Sequence, residues 1–230
     1  MSVNIPIHRN ILINILKEIY GSKIAPYLGF KGGTAMLVFY KLTRFSVDLD
    51  FDLLDLSKEE LVFETIKQIL EKYGTVKAQN KRYSLFFLLS YEGKHENYQN
   101  VKIEVNKRNF GSNYEIKHFL GIPIQVMVQE DLAANKLVAM YERMGKTNRD
   151  IFDAHFILKN NWPINKIIVE NRTKMKFVDF TQKCINELEK INNRSILSGI
   201  GELLDEKQKY WVKNNLKNDT IFLLGLVSYK

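Results

Sequence analysis

Aspartate recurs at alternate positions in Arg44-Phe45-Ser46-Val47-Asp48-Leu49-Asp50-Phe51-Asp52-Leu53. At a period of two, Phe45, Val47, Leu49, Phe51 and Leu53 fall on one side, with Ser46, Asp48, Asp50 and Asp52 on the other. The pattern predicts a β-strand with an apolar face in a core and a row of carboxylates on the opposite face. Two ionised carboxylates about 5 Å apart repel by roughly 3 kcal/mol at an effective dielectric near 20. A cation between them relieves that repulsion. Hard oxygen ligands at this spacing suit Mg²⁺, which takes one or two carboxylates and completes its shell with water and substrate phosphates. Two such ions about 4 Å apart would clamp the attacking and leaving oxygens of a phosphoryl or nucleotidyl transfer. The plain structural reading is a solvated strand face with acidic edge guards.

Upstream, Lys31-Gly32-Gly33-Thr34 leads into a helical pattern that ends near Tyr40. Glycines and a hydroxyl at a helix start leave backbone N–H groups for a phosphate. A glycine turn, a helix and an Asp-x-Asp strand then form one compact unit, able to hold a triphosphate beside metal ions. Downstream, Val101 to Asn106 alternates again, with Lys102, Glu104 and Asn106 on its polar face. A strand beside the acidic one would bring Glu104 to Asp48 and Asp50 as a third carboxylate.

Further along, Glu130 to Met144 carries Leu132, Leu137, Met140 and Tyr141 on one helical face, with Lys136 among them. A second helix opens at Arg149 and contains Asp150 and Asp153. Asp150 suits a helix start on electrostatic grounds alone. Asp153, one turn further in, calls for a cationic partner such as Arg149 or Lys136. Lysines near apolar faces otherwise snorkel to solvent.

The elements that position these groups are legible in outline. Apolar residues at Ile11, Leu12, Ile15, Leu16 and Ile19 predict a helix over 7–20. Ser57 and Glu60 read as a capping box that opens a helix ending near Tyr73 and Gly74. Tyr83 to Tyr91 has the composition of a strand buried on both faces, residues 92–100 that of a connection, and Ile124 to Val128 that of a short strand. A boundary near Gln129 divides a core over 1–128 from a helical region over 129–230, in which three or four lysine-rich amphipathic helices follow Asn161. Leu223, Leu224, Leu226 and Val227 are expected to pack the final helix down.

The chain has 230 residues, 45% hydrophobic and 26% charged, which is ordinary globular composition. The single cysteine rules out an internal disulfide and a cysteine-cluster zinc site. His8, His95, His118 and His155 lack zinc-type spacing, and no Gly-x-Ser-x-Gly elbow is present. No segment reads as a signal peptide or a membrane span, so the cytoplasm is the expected location. The net charge of +8 suggests a polyanionic partner such as nucleic acid.

Taken together, Lys31-Gly32-Gly33-Thr34-Ala35, Arg44-Phe45-Ser46-x-Asp48-x-Asp50-Phe51, Lys136-Leu137-x-Ala139 and Arg149-Asp150-x-x-Asp153 resemble the motifs of the AbiEii/AbiGii nucleotidyltransferase toxins, over about residues 7 to 160. The resemblance implies an α+β fold: a DNA-polymerase-β-like nucleotidyltransferase core, a short mixed sheet with helices, followed by a helical C-terminal region. It implies Mg²⁺-dependent transfer of a nucleotide from an NTP to RNA, tRNA above all, in a bacterial toxin–antitoxin or phage-defence system with a cognate antitoxin. Carried across, Gly32, Gly33 and Thr34 would hold the triphosphate, with Arg44 and Ser46 supporting the loop and phosphates. Asp48 and Asp50 would be metal ligands, joined by Glu104. Lys136 would contact phosphate, and Asp153, with Asp150, would accept a proton or orient Lys136 and Arg149. Asn135 stands where relatives carry an acidic residue. Two other readings are transfer to a protein or small-molecule hydroxyl, and a binding module for nucleotide or RNA that has no turnover.

Overall fold

A computed structural model describes residues 4–92 and 98–228. The chain divides into two compact units. One runs up to Asn109 and resumes over Asn113–Met127; the other comprises Phe110–Ser112 and the chain from Val128 onward.

The first unit is built on one mixed sheet. Its strands are β1 (Leu28–Lys31), β2 (Leu49–Leu53), β3 (Thr75–Asn80), β4 (Ser84–Glu92), β5 (Tyr98–Asn106), β6 (Tyr114–Phe119) and β7 (Ile122–Met127). Among the described residues they lie in the order β3-β4-β5-β2-β1-β7-β6. β2 runs antiparallel to β1 and parallel to β5 at the centre. Among the described residues its α-helices are α1 (Ile5–Tyr20), α2 (Gly32–Tyr40) and α3 (Glu59–Glu71). α1 buries His8, Leu12, Ile15, Leu16 and Ile19, the stripe that a 3.6-residue period places on one face. Phe51 of β2 packs at 5.3 Å from Phe30 of β1, and Phe63 of α3 at 5.2 Å from Phe87 of β4.

Four local expectations change. The acidic strand starts at Leu49, not Arg44. Over Arg44–Asp48 side chains take up backbone groups that a strand partner would otherwise satisfy. Arg44 is 2% exposed and donates from Nη1 to the Phe45 carbonyl, while His8 Nε2 bonds the Val47 carbonyl and Thr34 bonds that of Asp48. Asp55, not Ser57, is the capping side chain: it accepts the Ser57 N–H at 2.9 Å before a single 3₁₀ turn, and α3 then opens at Glu59 with no capping side chain. β4 buries one face only: Leu85, Phe87, Leu89 and Tyr91 are in the core, whereas Phe86 and Leu88 are half-exposed. Their face is the one that carries the acidic residues of β2. The connection expected over 92–100 lies mainly on residues outside those described, and Tyr98 already belongs to β5.

The second unit is helical: α4 (Gln129–Arg143), α5 (Arg149–Lys159), α6 (Lys166–Thr173), α7 (Phe177–Glu189), α8 (Glu206–Trp211) and α9 (Lys217–Ser228). Leu137, Ile157, Phe180, Cys184, Leu188, Leu216 and Leu224 fill its core. Of the four apolar residues expected to pack α9, Leu224 is buried but Leu226 is 49% exposed. Burial pushes the Cys184 thiol up to about 12, so it is an inert core residue. Among the described residues, no helix is long and apolar enough to cross a membrane.

Candidate nucleotidyl-transfer site

The acidic face of β2 is built against α2. Gly32 opens α2 with φ +79°, in the left-handed region that glycine tolerates. A Cβ at Gly32 would also be driven into the Asp50 carboxylate. A Cβ at Gly33 would come within 2.9 Å of both Arg44 Nη2 and Ser46 Oγ. The glycine pair therefore lets the helix start sit directly on the acidic segment. Lys31, at the N-cap, supplies no capping side chain. Lys31 thus leaves the first-turn N–H groups and the positive end of α2 available to an anion.

Thr34, Arg44 and Ser46 converge behind that turn. The Thr34 hydroxyl contacts Ser46 Oγ at 3.0 Å and donates to the Asp48 carbonyl. These side chains fix the loop that delivers Asp48. α1 secures it from the other side through His8, whose Nε2–H donates to the Val47 carbonyl at 2.9 Å while Nδ1 lies 2.7 Å from the Tyr91 hydroxyl. Burial lowers the His8 pKa, against the opposing pull of the Val47 carbonyl and of Asp48. Burial likewise pushes the Tyr91 hydroxyl up to about 12.

Pairing registers settle the partners of the strand. Asp50 lies opposite Lys31 on β1 and opposite Glu104 on β5. Glu104 is thus brought to the acidic pair, with a side chain 39% exposed. Lys102 spans it: its Nζ lies 3.8 Å from Asp48 Oδ2 and 3.4 Å from Glu104 Oε2. Among the described residues, no three metal-binding side chains form a closed cluster. The donor set of Asp48, Asp50 and Glu104, all hard oxygens, is one that Mg²⁺ accepts, because that ion keeps several waters and substrate oxygens in its shell.

Asp52, third in the row, serves another purpose. It is 8% exposed, and Oδ1 accepts from Lys31 Nζ at 2.5 Å and from Asn106 Nδ2 at 2.7 Å, while Oδ2 accepts from the Tyr114 hydroxyl at 2.6 Å. The tyrosine ring reaches it by lying on Gly29, where a Cβ would collide with it. Asp52 is therefore the anchor of Lys31, the residue that precedes the glycine turn. The sequence names Lys31 in the glycine motif and Lys102 on the polar face of its strand, but sheet pairing is what brings both to the acidic residues, and Tyr114 reaches Asp52 across Gly29 with no local signal.

The second unit holds the other expected residues. Lys136 Nζ lies 2.7 Å from Asp153 Oδ2 and 3.5 Å from Asp150 Oδ1. Arg143 Nη2 lies 2.9 Å from the same Asp150 oxygen, so Arg143 adds a cation that the sequence pattern does not single out. Lys136 is 9% exposed and both aspartates 0%. Lys136, Asp150 and Asp153 form a buried ionic cluster that Arg143, its side chain 40% exposed, joins at Asp150, and Asp150 Oδ2 lacks a hydrogen-bond partner. Arg149 opens α5 on the turn before Asp153. Asn135 accepts Arg172 Nη1 at 2.7 Å through Oδ1 and donates to the Asp131 carbonyl at 2.8 Å.

A candidate nucleotidyltransferase from Helicobacter pylori superposes with a TM-score of 0.64 at 17% identity, covering 100% of this chain and 96% of the other. The H. pylori protein JHP933 superposes with a TM-score of 0.58 at 18% identity, covering 100% and 97%. At these identities the likeness is one of fold. The family described as "Nucleotidyl transferase AbiEii toxin, Type IV TA system" matches residues 14–209, and the chain belongs to it. It is a nucleotidyltransferase toxin of a type IV toxin–antitoxin system, with a nucleotide substrate and a cognate antitoxin. No curated protein matches the sequence.

Proposed function

We propose that this toxin transfers a nucleotide from an NTP to an RNA acceptor, tRNA being the favoured one, in a Mg²⁺-dependent reaction in the bacterial cytoplasm, as part of phage defence. The observation that carries the reading is the seating of Asp50 against Gly32, which puts a carboxylate pair beside an uncapped helix start.

In this reading the N–H groups of Gly32, Gly33 and Thr34 bind the triphosphate, and Lys31, held by Asp52, adds positive charge at the turn. Asp48 and Asp50, with Glu104, would hold Mg²⁺, which when bound would lower the repulsion between the phosphates and an incoming hydroxyl. An acceptor hydroxyl attacks the α-phosphorus and forms a new P–O bond; the bond to the β-phosphate oxygen breaks and pyrophosphate leaves. The hydroxyl proton passes to water. Such a transfer asks for positioning and charge compensation more than for covalent chemistry by the protein. Arg44 and Ser46 keep Asp48 in place. Asp153 would orient Lys136, whose ammonium its Oδ2 engages at 2.7 Å. Asp150 and Arg149 support the same helix.

The test is label transfer. Purified protein is incubated with Mg²⁺, total tRNA and each α-³²P NTP in turn. Label on tRNA from one NTP is expected. Label that appears only on protein or on a small acceptor overturns the RNA reading.

A further inference from the structure

The sheet face that carries Asp50 continues outward into aromatic and cationic residues. Asp50 pairs in register with Glu104, and Glu104 with Phe86 of β4. In-register neighbours share a face, and strands lie about 4.8 Å apart, so Phe86 stands about 10 Å across the sheet from Asp50. The opposite face at these positions is Phe51, Ile103 and Phe87, all fully buried. Phe86 is half-exposed, and Lys81 Nζ lies 4.1 Å from its ring centroid.

Tyr83 immediately precedes β4, and Arg108, whose Nε donates to Asn106 Oδ1 on the Asp50 face, reaches its ring. The turn from β3 to β4 is closed by Lys81 N–H donating to the Ser84 carbonyl, and the Lys107 N–H donates to the Tyr83 carbonyl. These bonds fix the turn while leaving the Tyr83 side chain 51% exposed. Arg82 Cζ lies 5.0 Å and Arg108 Cζ 5.7 Å from its ring centroid. Lys107 is paired at 3.2 Å with Glu59, and Lys81, Arg82 and Arg108 are the cations that stand at the two rings. Half-exposed rings interleaved with cations match single-stranded nucleic acid, whose bases stack on π-faces while its phosphates seek positive charge.

We infer that Tyr83 and Phe86, with Lys81, Arg82 and Arg108, form the platform on which the single-stranded end of the RNA acceptor stacks beside the Asp50 face. The inference rests on the RNA reading proposed above and adds the place where the acceptor binds. The platform positions RNA and takes no part in the transfer chemistry.

The experiment measures anisotropy of a fluorescein-labelled single-stranded oligoribonucleotide on the full chain across a salt series. Binding of Mg²⁺·NTP is followed by calorimetry and label transfer to the same RNA as a third readout. Tyr83→Ala, at an exposed ring, is expected to weaken RNA binding by roughly five- to one-hundred-fold and to raise the KM for RNA with kcat unchanged. Tyr83→Phe keeps the ring and retains wild-type affinity. Lys81→Gln/Arg82→Gln lowers the slope of log K against log salt by about 1.4, two charges at about 0.7 each on a single strand. NTP binding stays at the wild-type value in all three variants. If the wild type labels RNA but Tyr83→Ala binds it as tightly, the platform is overturned and the transfer reading stands. If the wild type neither binds nor labels RNA, the transfer reading fails and the platform with it.

Discussion

Lys136 and Asp153 give the sharpest energetic test. Their charged atoms lie 2.7 Å apart, with the side chains 11% and 0% exposed. At an effective dielectric near 20 the direct attraction at that distance is about 6 kcal/mol, and desolvation of the two ions offsets most of it. Removing one partner removes the attraction but leaves the other charge buried. Lys136→Met takes from Asp153 the ammonium at 2.7 Å and leaves Asp150 with Arg143 as its cation; Asp153→Leu leaves Lys136 to share Asp150 with Arg143. Each single change should cost about 3–4 kcal/mol. The double variant removes both charges, keeps the Arg143–Asp150 pair and fills the space with apolar atoms. Its loss should be no greater than that of either single variant, a coupling of at least about 3 kcal/mol. Trp162 and Trp211, the two tryptophans of the chain, both lie in the second unit, so urea unfolding followed by tryptophan fluorescence reports on this unit. A double variant whose loss equals the sum of the singles within about 0.5 kcal/mol would refute the buried-pair account.

Three further outcomes are expected. Asp52→Ala leaves Lys31, Asn106 and Tyr114 without their shared acceptor and should destabilise the first unit by about 3–5 kcal/mol, whereas Tyr114→Phe should cost only about 1 kcal/mol; urea unfolding by circular dichroism separates the two. Burial, with a smaller contribution from Lys159, depresses His155 to about 4 despite Asp219 at 3.9 Å, so its folded pKa lies below its unfolded value of 6.5. The unfolded chain binds the extra proton between those values, so the contribution of His155 is complete above pH 6.5 and falls by up to about 3 kcal/mol as pH drops toward 4. His155→Phe should flatten that part of the pH profile, and an unchanged profile would exclude this cause. Gly32→Ala forces a Cβ into left-handed backbone and into Asp50, so calorimetry should show at least ten-fold weaker NTP binding; wild-type affinity would place the triphosphate elsewhere.

The parts of the site that are local in sequence are legible there. Gly32-Gly33-Thr34, Asp48 and Asp50 sit within nineteen positions of one another and reveal themselves through turn chemistry and a period of two. Glu104 reads as a strand residue, but only the β2–β5 register places it opposite Asp50. Asp52 belongs to the same alternating row as Asp48 and Asp50. Its different role comes from Asn106 and Tyr114, fifty-four and sixty-two positions away. The edge strands β3 and β6 bury little, and their apolar alternation is confined to Val76 and Ala78 in one and Tyr114 and Ile116 in the other, too short a pattern to announce a strand. Arg44–Asp48 alternates like a strand yet is shaped by His8, Thr34 and Arg44 side chains, none of which a periodicity reports. In the helical unit the Lys136–Asp153 partnership follows from two amphipathic patterns, while Arg143 joins through a turn whose geometry the pattern does not contain.

The central claim is that the Asp48–Asp50 pair, seated on the Gly32 turn, carries the transfer. Asp48→Asn and Asp50→Asn keep side-chain size and remove one charge each from a repelling pair. The most direct measurement is the initial rate of α-³²P label transfer to tRNA by both variants at saturating Mg²⁺, beside their thermal melts. The account predicts a rate at least about a thousand-fold below wild type with an unchanged or slightly higher Tm. Transfer near the wild-type rate by either variant would contradict it.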